Sequence, residues 1–308
     1  MLVAASNLCL YPKLVPAWPK SHGYRVCFPA SPSCDFPMSN VRFHITRLLD
    51  ALLIALAAFF CFGTLIAHLP SSRPNLPRMH DEFDPALQSI TSVDGAVEHV
   101  RGEARGFSRA KLADTADEFV RRRFFHDYSQ FALRDDWVAY LAGMIRPDLK
   151  SPVLPEDILR YRRGACSQQS IVLEAIARRF GFEVASVRLA HHFMAAVKVD
   201  GAWRVYDSDR EIPLRSYPLA ALLKGDPAVI AAYGPFAQSI DLAGQIARGE
   251  IRLTDINRNP APNASSLQHV THFLSRYGWA LFLLLAALRF GRPTVSSARF
   301  PASVSAIE

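Results

Sequence analysis

The chain has 308 residues, 50% of them hydrophobic, with 35 Lys and Arg against 28 Asp and Glu, a net charge of +7 and a pI near 9.3. The excess charge sits at the ends, in Lys13, Lys20, Arg25, Arg42, Arg47 and the C-terminal arginines, while the centre is almost balanced, so a nucleic-acid surface is not indicated. No repeat, phosphate-binding glycine loop or metal-ligand cluster is present, which leaves no metal or organic cofactor implied.

Residues 1–37 carry Pro12, Pro16, Pro19, Pro29, Pro32 and Pro37 without periodicity and read as disordered. Met38-Ser39-Asn40-Val41-Arg42 opens a leader, residues 38–47, and translation is expected to begin at Met38. Residues 48–69 are apolar and uncharged apart from Asp50, long enough for a bilayer that needs roughly 20 residues or fewer with thinning. A cleaved signal peptide ending near Ala67 is the competing reading, but Leu65 stands where a small residue is expected. Arg42 and Arg47 precede the span and place its start in the cytoplasm.

Residues 70–270 form the domain. Asp84 to Arg146 reads as mostly helical, with Phe119, Phe124, Phe125, Phe131, Trp137 and Tyr140 as core candidates. Arg121-Arg122-Arg123, flanked by Asp117, Glu118 and Asp127, reads as a solvated helix face. After a loop from Pro147 to Pro155, the apolar positions Val172, Leu173, Ile176, Ala177 and Phe180 define one face of a helix that begins at Cys166, and Gly181 stands where a glycine would end it. Phe182 to Ala190 reads as a strand, and residues 192–199 and 202–207 as a hairpin around Asp200-Gly201. Beyond Pro213 the pattern is helical to Arg248, and residues 258–266 read as a linker. A second apolar stretch, 273–290, has Tyr277 and Trp279 suited to an interface and Arg289, Arg292 and Arg299 after it, so residues 291–308 read as a cytoplasmic tail.

Chemistry concentrates at Cys166, the sole one of 5 cysteines in the domain and so without a disulfide partner there. A lone cysteine is most often an inert buried thiol. Here the helix N-terminus, with Arg162 and Arg163 just upstream, favours the thiolate. A two-residue turn pairs Val199 with Ala202, which makes His192 and Asp207 diagonal neighbours with Cα atoms about 7 to 8 Å apart and turns His191 to the other face. The same register puts Asp209 opposite His192, and register alone does not choose between the two aspartates.

The stretch Asp157-Ile-Leu-Arg-Tyr-Arg-Arg-Gly-Ala-Cys166-Ser-Gln-Gln-Ser, followed by His192-Phe-Met-Ala-Ala-Val and Asp200-Gly-Ala-Trp-Arg-Val-Tyr-Asp207, resembles the core of the transglutaminase-like superfamily of papain-related cysteine enzymes. The resemblance covers residues 157–209 and rests on Gly-x-Cys opening a helix, His opening a strand, and Trp-x-x-x-Asp ending the next. It implies an α+β fold with the nucleophile helix packed on an antiparallel sheet, Cys166 as nucleophile, His192 as general base, Asp207 rather than Asp209 as the orienting carboxylate, and Trp203 as the family's tryptophan. Met194 and Ala196 stand where the family commonly has an aromatic residue and a glutamate, which bears on the shape of the substrate pocket. The Cys166 N–H supplies one oxyanion donor; Gln130, Trp137 and Tyr140 are candidates for the second.

The expectation is a membrane-anchored bacterial enzyme, a cysteine peptidase, amidase or acyl transferase, with its domain on the periplasmic side of the inner membrane. It would act on peptide or protein amide bonds of the cell envelope through a thioester. The rival is a catalytically idle member of the fold, serving as a binding or assembly module for envelope or polysaccharide export.

Overall fold

A computed structural model describes residues 38–67, 82–189, 192–209, 212, 214–234 and 241–290. The expected disorder of 1–37, the facing of His191 and the tail 291–308 lie outside the described residues. Residues up to Arg47 form one unit and those from Leu48 onward a second, which holds the sheet and every candidate site residue.

In chain order the elements are helix α1 (Met38–Ala67), α2 (Val93–Glu103), α3 (Arg109–Arg123), strand β1 (Phe125–His126), α4 (Trp137–Ile145), α5 (Pro155–Ile158), β2 (Arg163–Gly164) and α6 (Cys166–Arg179). Then come β3 (Val184–Arg188), β4 (Phe193–Val199), β5 (Ala202–Tyr206), β6 (Tyr217–Pro218), α7 (Leu219–Lys224), α8 (Pro227–Ala232), α9 (Leu242–Ala247), β7 (Arg252–Leu253) and α10 (Pro262–Phe290). The mixed helix and sheet content agrees with the expectation. The sheet runs β6-β5-β4-β3-β7, antiparallel throughout.

Both faces of the sheet are covered, because β3 and β4 bury alternate residues on opposite sides. On one side Val184, Ala195, Val197 and Tyr206 meet Val172, Leu173 and Ile176 of α6, backed by α2 and α3. On the other, Val187, Met194, Ala196 and Val205 meet Tyr217, Leu222, Val229, Tyr233 and Leu242. Each fully buried Val, Leu or Ile here stabilises the fold by about 1.5–3 kcal/mol.

α6 ends as its sequence predicts. Gly181 has φ +76, its N–H donates to the Arg178 carbonyl and that of Phe182 to Ala177, which satisfies two carbonyls of the last turn. Asp200 (φ 49) and Gly201 (φ 84) are both left-handed, the type I′ geometry, and Val199 pairs with Ala202.

The arginine run corrects its expected reading. Arg121 and Arg123 are buried, and only Arg122 faces outward, bonded to Asp84 at 2.6 Å. Arg121 donates to Asp117 at 3.0 Å. The Arg123 guanidinium donates to the carbonyls of Ile90, Tyr161, Gln88 and Leu159, so its fork of N–H groups meets backbone acceptors at the ends of several elements. Burial first, then the charge of Arg162, lowers the Arg123 pKa to about 10.

The expected linker at 258–266 is also corrected in its second half, since α10 begins at Pro262 and continues unbroken to Phe290. Proline fits a first helical turn, where no N–H is needed. The first half of α10 is tied to the domain: Gln268 bonds Ser151 and Val153, while Thr271 and Ser275 donate to Asp136, the N-cap of α4. Its second half runs antiparallel to residues 50–64 of α1. Arg289 donates to Asp50 at 2.6 Å, Phe60 meets Phe282 with ring centroids 5.1 Å apart, and Thr64 donates to the Ser275 carbonyl at 3.0 Å. Trp137 closes this junction from α4, its ring against Phe59 and Phe60 and its indole N–H on the Ser275 carbonyl. Residues 44–67 and 262–290 are each long and apolar enough to cross a membrane, and most of both surfaces is uncovered.

Candidate active site

Three elements deliver the site. The N-terminus of α6 presents Cys166, the start of β4 presents His192, and the turn after β5 presents Asp207 and Asp209. Hairpin pairing of Ala195 with Tyr206 carries the two strand ends side by side, which brings together residues that the chain separates by fifteen positions or more.

Cys166 is half-buried and carries no disulfide. Its helix starts at Ala165, which offers no side-chain oxygen to the first turn, so the leading N–H groups remain without a side-chain cap. Gln168 instead braces the approach: its carbonyl oxygen accepts from Ala165 and Ser129, and its amide donates to the carbonyls of Ser129 and Pro152.

His192 is 3% exposed, and its Nε2 lies 2.7 Å from Oδ2 of Asp207, itself 1% exposed. That leaves Nδ1 as the ring nitrogen for the Cys166 thiol, with which His192 shares a hydrogen bond. Burial alone would lower the His192 pKa, but the Asp207 charge and hydrogen bond, followed by Cys166, push it up to about 10. Asp207 responds in the opposite sense. Burial pulls it up, and the stronger combined effect of His192, the Tyr233 hydroxyl and Arg121 holds it below the usual carboxylate value. Tyr233 donates to the same Oδ2 at 2.8 Å, and Tyr217 bonds Tyr233 in turn. Asp117, pushed up by burial despite Arg121, accepts from Ser208 at 2.6 Å and anchors the turn between the two aspartates.

Asp209 occupies a different position. Its Oδ1 is 3.7 Å from His126 Nδ1 and accepts from Gln169 Nε2 at 3.4 Å. Gln169 also donates to the Gly164 carbonyl at 2.8 Å. One ligand atom each from Cys166, His192 and Asp209 lie within 4.8 Å of one another. A tetrahedral ion with ligands at about 2.0–2.3 Å needs its donors about 3.3–3.8 Å apart, so the group is loose for zinc. No ligand spacing in the sequence announces this cluster, because Asp209 joins it only through folding.

Of the proposed second oxyanion donors, Trp137 is committed to Ser275 at the junction with α1. Gln130 is exposed and Tyr140 lies in α4. Residues that sequence reasoning missed stand nearer. β1 pairs in parallel with β2, placing His126 beside Gly164, two positions before Cys166. Tyr128 is close enough that the charges of Cys166 and Asp209, after partial burial, raise its phenol pKa. A two-residue parallel bridge, Tyr128 just after β1 and Tyr233 just after α8 leave no periodic signal in the sequence.

An imidazolium held between a carboxylate and a thiol, at an uncapped helix N-terminus, can stabilise a thiolate and pass a proton to a departing group. Scans of family models, curated proteins and solved structures return no match to this chain.

Proposed function

We propose that the chain is a cysteine hydrolase or acyl transferase acting on amide bonds, similar in its chemistry to the transglutaminase-like enzymes. The observation that supports this reading is the chain of contacts from the half-buried Cys166 through the buried His192 to the buried Asp207. The Cys166 thiolate attacks the amide carbon, and the oxyanion forms beside the Cys166 N–H. His192 then gives its proton to the leaving amine as the C–N bond breaks, which leaves a thioester. Water, or an amine in the transferase case, adds to the thioester, His192 takes the incoming proton, and the thiolate is released. Asp207 keeps the imidazolium charged and oriented.

The two apolar helices anchor this domain in a bacterial inner membrane. Arg42 and Arg47 before the first, and Arg289, Arg292 and Arg299 around the end of the second, favour a periplasmic domain, and with it peptide or protein substrates of the envelope.

A second reading takes Cys166, His192 and Asp209 as metal ligands. A thiol-reactive amide probe on the full chain separates the two. Labelling that vanishes in Cys166→Ala, falls in His192→Ala and is unchanged by a chelator fits the enzyme. Labelling that rises when the chelator is added, with a transition-metal ion recovered in the protein as purified, fits the metal site and sinks the first reading.

A further inference from the structure

A cleft of roughly 360 Å³ opens between the last turns of α1, the start of α4 and the middle of α10, away from Cys166. Arg134, Arg160 and Arg276 line it, and Asp135 is the single carboxylate among the lining residues. Among the lining residues guanidiniums outnumber carboxylates three to one. Arg134 lies 3.7 Å from Asp135, Arg160 lies 3.3 Å from Asp157 outside the cleft, and the exposed Arg276 makes no ion pair among the described residues.

The cleft lies at the level where the apolar surface of the helix pair starts. Thr64 and Ser275, bonded to each other, both line it, and the apolar run of α10 begins two residues later at Tyr277. Phe273, Tyr277 and Trp279 are exposed at this level, the aromatic composition of a membrane boundary. An arginine fork matches a phosphate in bidentate fashion, and one fork is enough for a carboxylate, so three around one space suit the group with more oxygens.

We propose that this cleft binds the phosphate of an anionic ligand, supplied by a lipid headgroup at the boundary or by a soluble phosphate ester. The site is independent of the chemistry at Cys166 and stands whether or not that thiol is a nucleophile.

The test uses the full chain in neutral micelles and reads the thermal midpoint with phosphatidylglycerol, phosphatidylcholine or inorganic phosphate added at constant ionic strength. Phosphatidylglycerol should raise the midpoint by several degrees over phosphatidylcholine, and Arg276→Gln should remove most of that rise. A comparable rise with inorganic phosphate, also lost in Arg276→Gln, supports the site with a soluble source. Equal effects of the two lipids and no effect of phosphate, or a rise that survives both Arg276→Gln and Arg134→Gln/Arg160→Gln, overturns the proposal. Arg276→Gln removes no ion pair, so its midpoint without additive should match the wild type; if the double variant fails to fold, the single one still decides.

Discussion

Replacing Asp207 by asparagine isolates the charge of the carboxylate from its geometry. The His192 ring nitrogen and the Tyr233 hydroxyl both meet the same oxygen, at 2.7 and 2.8 Å, so an amide oxygen in that place can keep both hydrogen bonds and the fold should survive. What disappears is the anion beside the imidazolium. Two unit charges about 4 Å apart at an effective dielectric near 20 interact by about 4 kcal/mol, equivalent to about three pKa units. His192, pushed up to about 10 in the wild type, should therefore titrate lower by about three units in Asp207→Asn. Imidazole carbon resonances of ¹³C-histidine-labelled chain, assigned with His192→Gln, would follow this directly. Labelling or turnover at pH 8 should fall by up to about 10³-fold, the same energy expressed as a rate. Asp209→Asn should leave the His192 midpoint high, because Asp209 bonds Gln169 and faces His126. An unmoved midpoint in Asp207→Asn, or a larger drop in Asp209→Asn, would refute the assignment of Asp207 as the partner.

Glu174, fully buried on α6, has its pKa raised to about 7 by burial, against the opposing pull of Ser186 and Arg178. A raised carboxylate contributes stability that is complete below its unfolded value of 4.5 and lost as pH rises through about 7, so Glu174→Gln should gain about 3 kcal/mol relative to wild type between pH 4 and pH 8. Denaturation midpoints at the two pH values test it, and an equal difference at both would contradict the buried-acid account. At the helix pair, a Cβ on Gly278 would overlap the Phe60 ring, so Gly278→Val should cost about 1–3 kcal/mol, read as a lower thermal midpoint in micelles. For the proposed topology, alkaline phosphatase fused after residue 69 should be active only outside the cytoplasm; cytoplasmic activity would reverse the orientation argued from Arg42 and Arg47.

Local signals carried much of this protein. The α6 apolar face with its Gly181 stop, the Asp200-Gly201 turn and the register that sets His192 diagonal to Asp207 are short-range consequences of side-chain periodicity and left-handed backbone positions, and each was readable from neighbours in sequence. Composition alone marked the two apolar helices. Tertiary structure decided what depends on partners far along the chain. Arg123 reads as a solvated charge until the carbonyls of Leu159 and Tyr161 arrive to bury it, and Pro262 reads as a linker until the domain stabilises the helix it begins. Asp207 and Asp209 sit two residues apart with similar local sequence. One meets His192 and Tyr233 while the other meets Gln169 and His126, and that division follows from how α8, β1 and α6 converge on a single turn.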